Sequence, residues 1–458
     1  METLDFVFER FSAYAWGLPL LILLVGGGLY LLMLSKFLPF RFVGHAIEVL
    51  RGKYNDPNDP GEISHFQALM TALSSTIGMG NIAGVAVAIH IGGPGAMFWM
   101  WVSAIIGMST KFFTCTLAVL YRGKDSNGEI QGGPMYFIME GLGRNWKPLA
   151  IFFSIAGMIG ALPVFNVNQL KQAINFILLE PNGVQVNHLT NLVIGIVLVG
   201  ITSLVILGGL DRISRTAEKL VPSMVVLYFV LVIVILGIYI GEVPRYLLLM
   251  FTDAFDANFF AGDAFLGGTL GGLILLGIRR GAFSNEAGIG TAPMAHGATK
   301  TDEPVREGLV AMLGPAIDTL VVCTLTALAI LVTGVWQTSD ANGVSLTATA
   351  FNNAMPTYGR YLLLICIITF SMSSLFTYSY YGTKCMSFIF GAENKHYYNY
   401  FYITSIILGA VTPLSLMLNL IDGTFALMAI PTMIATIILA PNVIAEFKGY
   451  VNRMKSKR

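Results

Sequence analysis

The chain has 458 residues, of which 55% are hydrophobic and 12% charged, and its mean hydropathy is +0.71. A soluble protein carries about twice that charged fraction, so the composition excludes a soluble globular domain and places the chain in a lipid bilayer. A net charge of +1 excludes a nucleic-acid partner, which calls for a clustered basic face.

The N-terminus, METLDFVFERFSAYAWG, is acidic and aromatic. It lacks the basic region and small-residue cleavage site of a signal peptide, so the first span is expected to stay. Runs of about 20 apolar residues suffice to cross a hydrocarbon layer of ~30 Å. Eleven are predicted, over 15–36, 66–90, 95–121, 147–179, 188–208, 216–240, 264–297, 306–334, 359–390, 398–419 and 423–446. Cys115, Cys323, Cys366 and Cys385 lie far apart without metal-ligand spacing and read as small buried thiols.

Basic residues collect in cytoplasmic loops. With the N-terminus outside and the C-terminus inside, all of the 27 Lys and Arg except Arg10, Lys171, Arg245 and Arg360 fall on the inner side. That set includes Lys111 at the close of the third span, Arg279 and Arg280 around the end of the seventh, Lys384 after the ninth, and the tail residues Lys448, Arg453, Lys455, Lys457 and Arg458. Asp253, Asp256 and Asp263 fall outside. The outer stretch 335–360 is too long for a bare turn and is expected to be a short helix or lid, or an ordered loop.

Two spans are interrupted. In SSTIGMGNIAG (74–84), Gly78, Gly80 and Asn81 break the second span over Ser74–Asn81. RRGAFSNEAGIG (279–290) breaks the seventh. These are the first members of two blocks of five spans, and an odd number per block makes the second enter from the opposite side, the layout of an inverted repeat. The predicted organisation is 1–62, an N-terminal span and loop; 63–245, the first block; 246–446, the second; and 447–458, a basic tail. Unwound backbone in lipid costs several kcal/mol per unpaired group, to order of magnitude. Two such breaks point to a central cavity or ligand. Helix N-termini suit a carboxylate and freed carbonyls suit a cation, so a zwitterionic amino acid fits both. Glycines also pack helices closely, and GGTLGG (267–272) reads that way.

TIGMGNIAG followed by GGPGAMFWMW, RRGAFSNEAGIGTAPMAHG, GGPMYFIMEGLG (132–143), FQALMTALS (66–74) and SYYGTKC (379–385) give the chain its resemblance to the alanine/glycine:cation symporter family, from about residue 15 to 446. The resemblance implies a sodium-coupled, sometimes proton-coupled, importer of small neutral amino acids in the plasma (inner) membrane. The implied fold is all-α and leucine-transporter-like, with five-plus-five inverted helices, two of them discontinuous, and one extra N-terminal helix. It implies substrate contacts at Thr76, Gly78, Gly80 and Asn81, and sodium facing the carbonyls of Ser74 and Ile77 with the hydroxyls of Ser373 and Ser374. For that serine pair, helix-to-helix hydrogen bonding is the alternative. Phe283 and Ser284 match the turn of the second broken helix toward substrate, with Ile289 as a floor and Gln169 as a hydrogen-bonding or gating residue.

Two positions depart from the family pattern. Tyr378 stands where a tryptophan is common, which puts substrate size in doubt and leaves glutamine open. Lys171 stands where an uncharged residue is usual, and reads either as a vestibule charge or as a lysine snorkelling to the interface. Glu286 is expected to pair with Arg279 or Arg280, with proton relay as the alternative reading. Asp318 is expected to be a hydrogen-bond hub or a coupling residue, and His65 an inner-face cap or interface residue. No HExxH or GxxxxGK[ST] motif is present, nor a repeated filter, so a membrane protease, a nucleotide-driven pump and a channel rank below a secondary transporter. No cofactor is called for beyond sodium as coupling ion.

Overall fold

The computed structural model describes residues 2–255, 270–412 and 414–456. The expected start of the seventh span, the first half of the GGTLGG segment, Asp256, Asp263, Lys457 and Arg458 lie outside these residues.

The described chain is almost wholly helical. Helices α1 (Glu2–Ala15) and α2 (Leu18–Leu34) meet at a 41° bend. Pro19 opens α2 behind the extended Gly17; a proline ring is tolerated only at a helix start. A short helix α3 (Leu38–Leu50) leads to α4 (His65–Thr76) and α5 (Gly80–Gly92), bent by 51° at the first break. Next come α6 (Gly95–Leu120), the hairpin β1 (Gly123–Lys124) and β2 (Ile130–Gln131), α7 (Arg144–Asn182), α8 (His188–Ile206), α9 (Gly209–Ile238) and α10 (Val243–Thr252). The second half holds α11 (Leu270–Asn285), α12 (Thr291–His296), α13 (Pro304–Val332), α14 (Val344–Ala354), α15 (Gly359–Phe390), α16 (Lys395–Val411) and α17 (Leu414–Ser456).

Seven described helices are long and apolar enough to span a membrane, or up to nine if each bent pair is one span. The two expected spans outside that set are the seventh, whose start is not described, and the tenth, where α16 has only 17 residues. Burial sorts the bundle. In α6, 89% of the apolar window is buried inside the protein, against 22% in α8, so α6 is a central element and α8 faces lipid. Around α6 pack α11, α12 and α13, while α4 packs on α9 and α15. The stretch after α13 carries α14, whose buried Thr347 donates to the Ile82 carbonyl at 3.2 Å. It is therefore a helix seated on the first broken span.

Among the basic residues counted with the inner loops, four stand out as lying within the packed helices of the bundle. Lys111 in α6 and Lys384 in α15 are 2% and 4% exposed. Arg279 and Arg280 lie within α11, and Arg279 binds Asp422 Oδ2 at 2.5 Å and Ser12 Oγ at 2.9 Å. Charge runs report loop topology only when the charge is in a loop; a charge inside the bundle does not.

One end of the bundle is tied by backbone. Ile63 and Thr299 form a parallel bridge, Glu62 N donates to Ala298 O (2.8 Å) and Lys300 N to Ile63 O (2.7 Å). Arg122 donates to the carbonyls of Pro60, Gly297, Thr301 and Thr299. The start of α4 and the end of α12, one half of each broken helix, are thereby joined.

Candidate functional site

The first break is short. Ser64 caps α4 in a reciprocal pair with Gln67, so the cap is Ser64 and not His65, which is buried. Ser74, Ser75 and Thr76 remain helical, and the chain leaves the helix at Ile77. It resumes at Gly80 with a wide first turn, Gly80–Gly84. Asn81 organises this gap: its Oδ1 accepts from Gly78 N (3.0 Å) and its Nδ2 donates to Asp318 Oδ1 (2.7 Å). The Gly78 amide offered to a substrate carboxylate thus already has an acceptor.

The second break differs from expectation. Residues 279–285 are regular helix, and the chain departs only at Glu286. The glycines divide by role. At Gly281 an added Cβ would meet the Ser103 side chain at 2.8 Å, so this glycine packs α11 against α6. Gly288 and Gly290 have φ of +84° and +106° and turn the backbone. Glu286 itself has φ +55°, an uncommon conformation for a residue with a Cβ. Its side chain holds it there. Oε2 accepts from Thr291 Oγ1 (2.5 Å) and Ser75 Oγ (3.4 Å), and Oε1 from Tyr378 OH. The expected pairing with Arg279 or Arg280 is overturned, because Arg279 is committed to Asp422 and neither arginine forms an ion pair with Glu286 among the described residues.

Asp318 joins the two breaks. Oδ1 accepts from Asn81, and Oδ2 from Ser284 Oγ (2.9 Å) and Thr319 Oγ1 (2.7 Å). A second oxygen cluster links α4 to α15. Ser373 Oγ donates to Ser74 O (3.2 Å), Ser74 Oγ to Ser373 O (2.7 Å), and Ser374 Oγ to Ser75 O (3.4 Å). Uncharged hydroxyls and carbonyls are the donor set that suits a small hard cation. These bonds are also the helix-to-helix contacts of the plainer reading, so both uses share the same atoms.

Between the breaks lies a cavity of about 20 Å³, room for a water or two. Thr76, Gly78, Gly80, Phe283, Glu286 and Tyr378 line it, with Ser75, Phe165, Asn166, Ile421 and Phe425. Phe283 stands between Phe165 and Phe425, with ring centroids at 5.6 and 5.5 Å. Of the other predicted residues, Asn81 and Ser284 stand behind the cavity in the Asp318 hub. Ile289 is fully buried and its carbonyl accepts from Thr432 Oγ1. Gln169 donates to Gln172 Oε1 at 3.2 Å; neither Gln169 nor Ile289 lines the cavity. Lys171 lines a separate polar cleft with Asn168, Gln172, Asn175, Glu180 and Ser345.

Phe165 and Phe425 were missed from the sequence because aromatic residues are common in every span. Ser75 was passed over between two residues that the motif assigned.

The model of the family described as the sodium:alanine symporter family matches residues 1–458. The chain is 39% identical over 454 residues to the sodium/alanine symporter AgcS of Methanococcus maripaludis, covering 98% of each protein. It is 39% identical to an uncharacterised transporter of Haemophilus influenzae, covering 99% of this chain and 97% of that one. It is 34% identical to the probable sodium/glutamine symporter GlnT of Bacillus subtilis, covering 96% and 89%. Among solved structures, MhsT in complex with L-phenylalanine aligns with a TM-score of 0.58 at 12% identity, covering 85% of this chain and 99% of that one. A manganese transporter mutant of Eremococcus coleocola aligns with a TM-score of 0.52 at 14% identity, covering 83% and 82%. At such identities the likeness is one of fold alone.

Proposed function

The chain belongs to the sodium:alanine symporter family, and from that premise we propose that it imports a small neutral amino acid, alanine or glycine first, together with sodium. It is a multi-pass membrane transporter and not an enzyme. The observation that carries the reading is the meeting of two helix breaks at one small cavity.

Each part of the substrate has a chemical match there. Sodium goes to the oxygens of Ser74, Ile77, Ser373 and Ser374. The substrate carboxylate goes to the backbone at Gly80, and at Gly78 once Asn81 releases it, beside Thr76. The ammonium group goes to carbonyls freed at the second break. Phe283, with Phe165 and Phe425, covers a short aliphatic side chain, and Tyr378 closes the same side. Because the cavity has room for only a water or two, even glycine enters through a rearrangement, as alternating access requires. Gln169 and Lys171, near α14, lie on the approach and act as gating residues. The two blocks 63–245 and 246–446 form the inverted repeat, with the N-terminus outside and the C-terminus inside.

Proton coupling is the second reading, favoured by the Glu286 carboxylate on the cavity wall. A larger substrate such as glutamine is the third, favoured by the identity to GlnT. Counterflow into proteoliposomes with labelled alanine, varying sodium and proton gradients separately, separates these. Uptake is expected to follow the sodium gradient and to be competed by unlabelled glycine more than by glutamine. Uptake indifferent to both gradients would remove the symport reading.

A further inference from the structure

At the end of the bundle where the two broken helices are tied, one carboxylate sits between two imidazoles. Glu307, in the first turn of α13, contacts His65 Nδ1 through Oε2 and His296 Nδ1 through Oε1. The three side chains are at most 1% exposed. His65 is the first residue of α4, and His296 is the last of α12. The cluster therefore joins both half-helices to α13 by side chains, beside the backbone bridge of Ile63 and Thr299.

The two rings share an unusual feature. Nε2 of each is buried and has no hydrogen-bond partner among the described residues. With Nδ1–H directed at the carboxylate, Nε2 carries the lone pair, so each ring has one open protonation position. Two neutral rings leave one buried negative charge. Taking up one proton neutralises the cluster and turns one contact, already a hydrogen bond to an ionised carboxylate, into a hydrogen-bonded ion pair, whose attraction is strengthened by the low dielectric of the interior. Imidazole is the side chain whose charge ordinarily changes between about pH 5 and 8.

We propose that His65, Glu307 and His296 form a proton-binding latch that fastens the half-helices α4 and α12 at this end of the bundle, and that acid on this side holds the end closed. Cys115 in α6 and Arg122 just beyond it also act on Glu307. Arg122 is committed to backbone carbonyls. From α3 and α17, packed on the same helix, His45 pairs with Tyr450 and Glu48 with Lys53. Opening this end requires α4 or α12 to leave Glu307, so protonation slows opening and deprotonation permits it.

Backbone hydrogen exchange over residues 65–76 in the purified full chain tests this without substrate or sodium, and so independently of the transport reading. The comparison is between about pH 6 and pH 8, the range in which a histidine switch acts, corrected for the intrinsic exchange rate. Wild type is expected to be at least about tenfold better protected at the lower pH. H65Q and H296Q each lose most of that difference, and E307Q loses it entirely. Should E307Q fail to fold, the two histidine variants decide, since each leaves the carboxylate one partner. No pH effect in wild type, or an equal effect in wild type and both histidine variants, overturns the proposal.

Discussion

Asp318→Ala is expected to abolish uptake and to lower the melting temperature, whereas Asp318→Asn is expected to fold and to lose sodium affinity. The difference follows from what the carboxylate does. It receives hydrogen bonds from Asn81, Ser284 and Thr319, all buried. Alanine takes the carboxylate from all three donors, leaving Asn81 only the Asp318 carbonyl at 3.3 Å and the Cys323 sulfur, and Ser284 only that sulfur; a buried group left unpaired costs ~1–3 kcal/mol. Stability margins of about 5–15 kcal/mol absorb that poorly. Asparagine keeps the shape, and the two hydroxyls can turn to accept from its amide. What it removes is the charge. Among the described residues Asp318 has no salt-bridge partner, and it touches Asn81 of the first break and Ser284 at the end of α11. Buried Lys111 in α6 is the opposite charge that acts on it, and we propose that a sodium ion at the neighbouring α4–α15 oxygens draws on the same negative charge, so the apparent sodium affinity of Asp318→Asn is expected to fall by about tenfold, or ~1.4 kcal/mol. Sodium titrations of uptake, with fluorescence-detected melting of each variant, read both outcomes. An Asp318→Asn variant with unchanged sodium affinity would confine this residue to scaffolding.

Gly78→Ala is expected to reduce uptake by at least about a hundredfold, a barrier change of ~2.7 kcal/mol. An added Cβ at Gly78 would lie 2.5 Å from Ser374 Oγ, closer than atoms can approach. The serine must turn away, and it is one of the hydroxyls we propose for the sodium site. The double variant Gly78→Ala with Ser374→Ala removes the clash, because the next Ser374 atom, Cβ, stands at 3.7 Å. It is expected to recover the melting temperature of wild type without recovering sodium dependence. The coupling between the two sites then appears as non-additivity in a double-mutant cycle. If Gly78→Ala transports like wild type, the close approach of α15 to the first break has no bearing on transport.

The sequence made the breaks legible because they violate a strong rule. A run of apolar residues long enough to span lipid has no reason to carry GMGN or NEAGIG unless backbone is wanted there. Asp318 was legible for the same reason, as an acid in the middle of an apolar helix. What stayed hidden depends on partners far apart in the chain. Arg279 lies seven residues before Glu286, yet it binds Asp422, 143 residues away. Glu307 binds His65 across 242 residues, a pairing that no local pattern announces. Gly281 and Gly288 look alike in sequence, but one packs against Ser103 and the other turns the chain with positive φ. Only the neighbouring helix tells a packing glycine from an unwinding one. The 335–360 stretch stayed undecided because α14 owes its burial to the first break beneath it.

The central claim is that the two breaks grip one amino acid and one sodium ion at the same place. Equilibrium binding of labelled alanine to the purified protein, with sodium titrated against choline at constant ionic strength, tests it most directly. Saturable binding whose affinity rises at least about tenfold with sodium, a coupling free energy of ~1.4 kcal/mol, and which disappears in Gly78→Ala, is the expected result. Tight alanine binding that ignores sodium, or that survives Gly78→Ala unchanged, would contradict it.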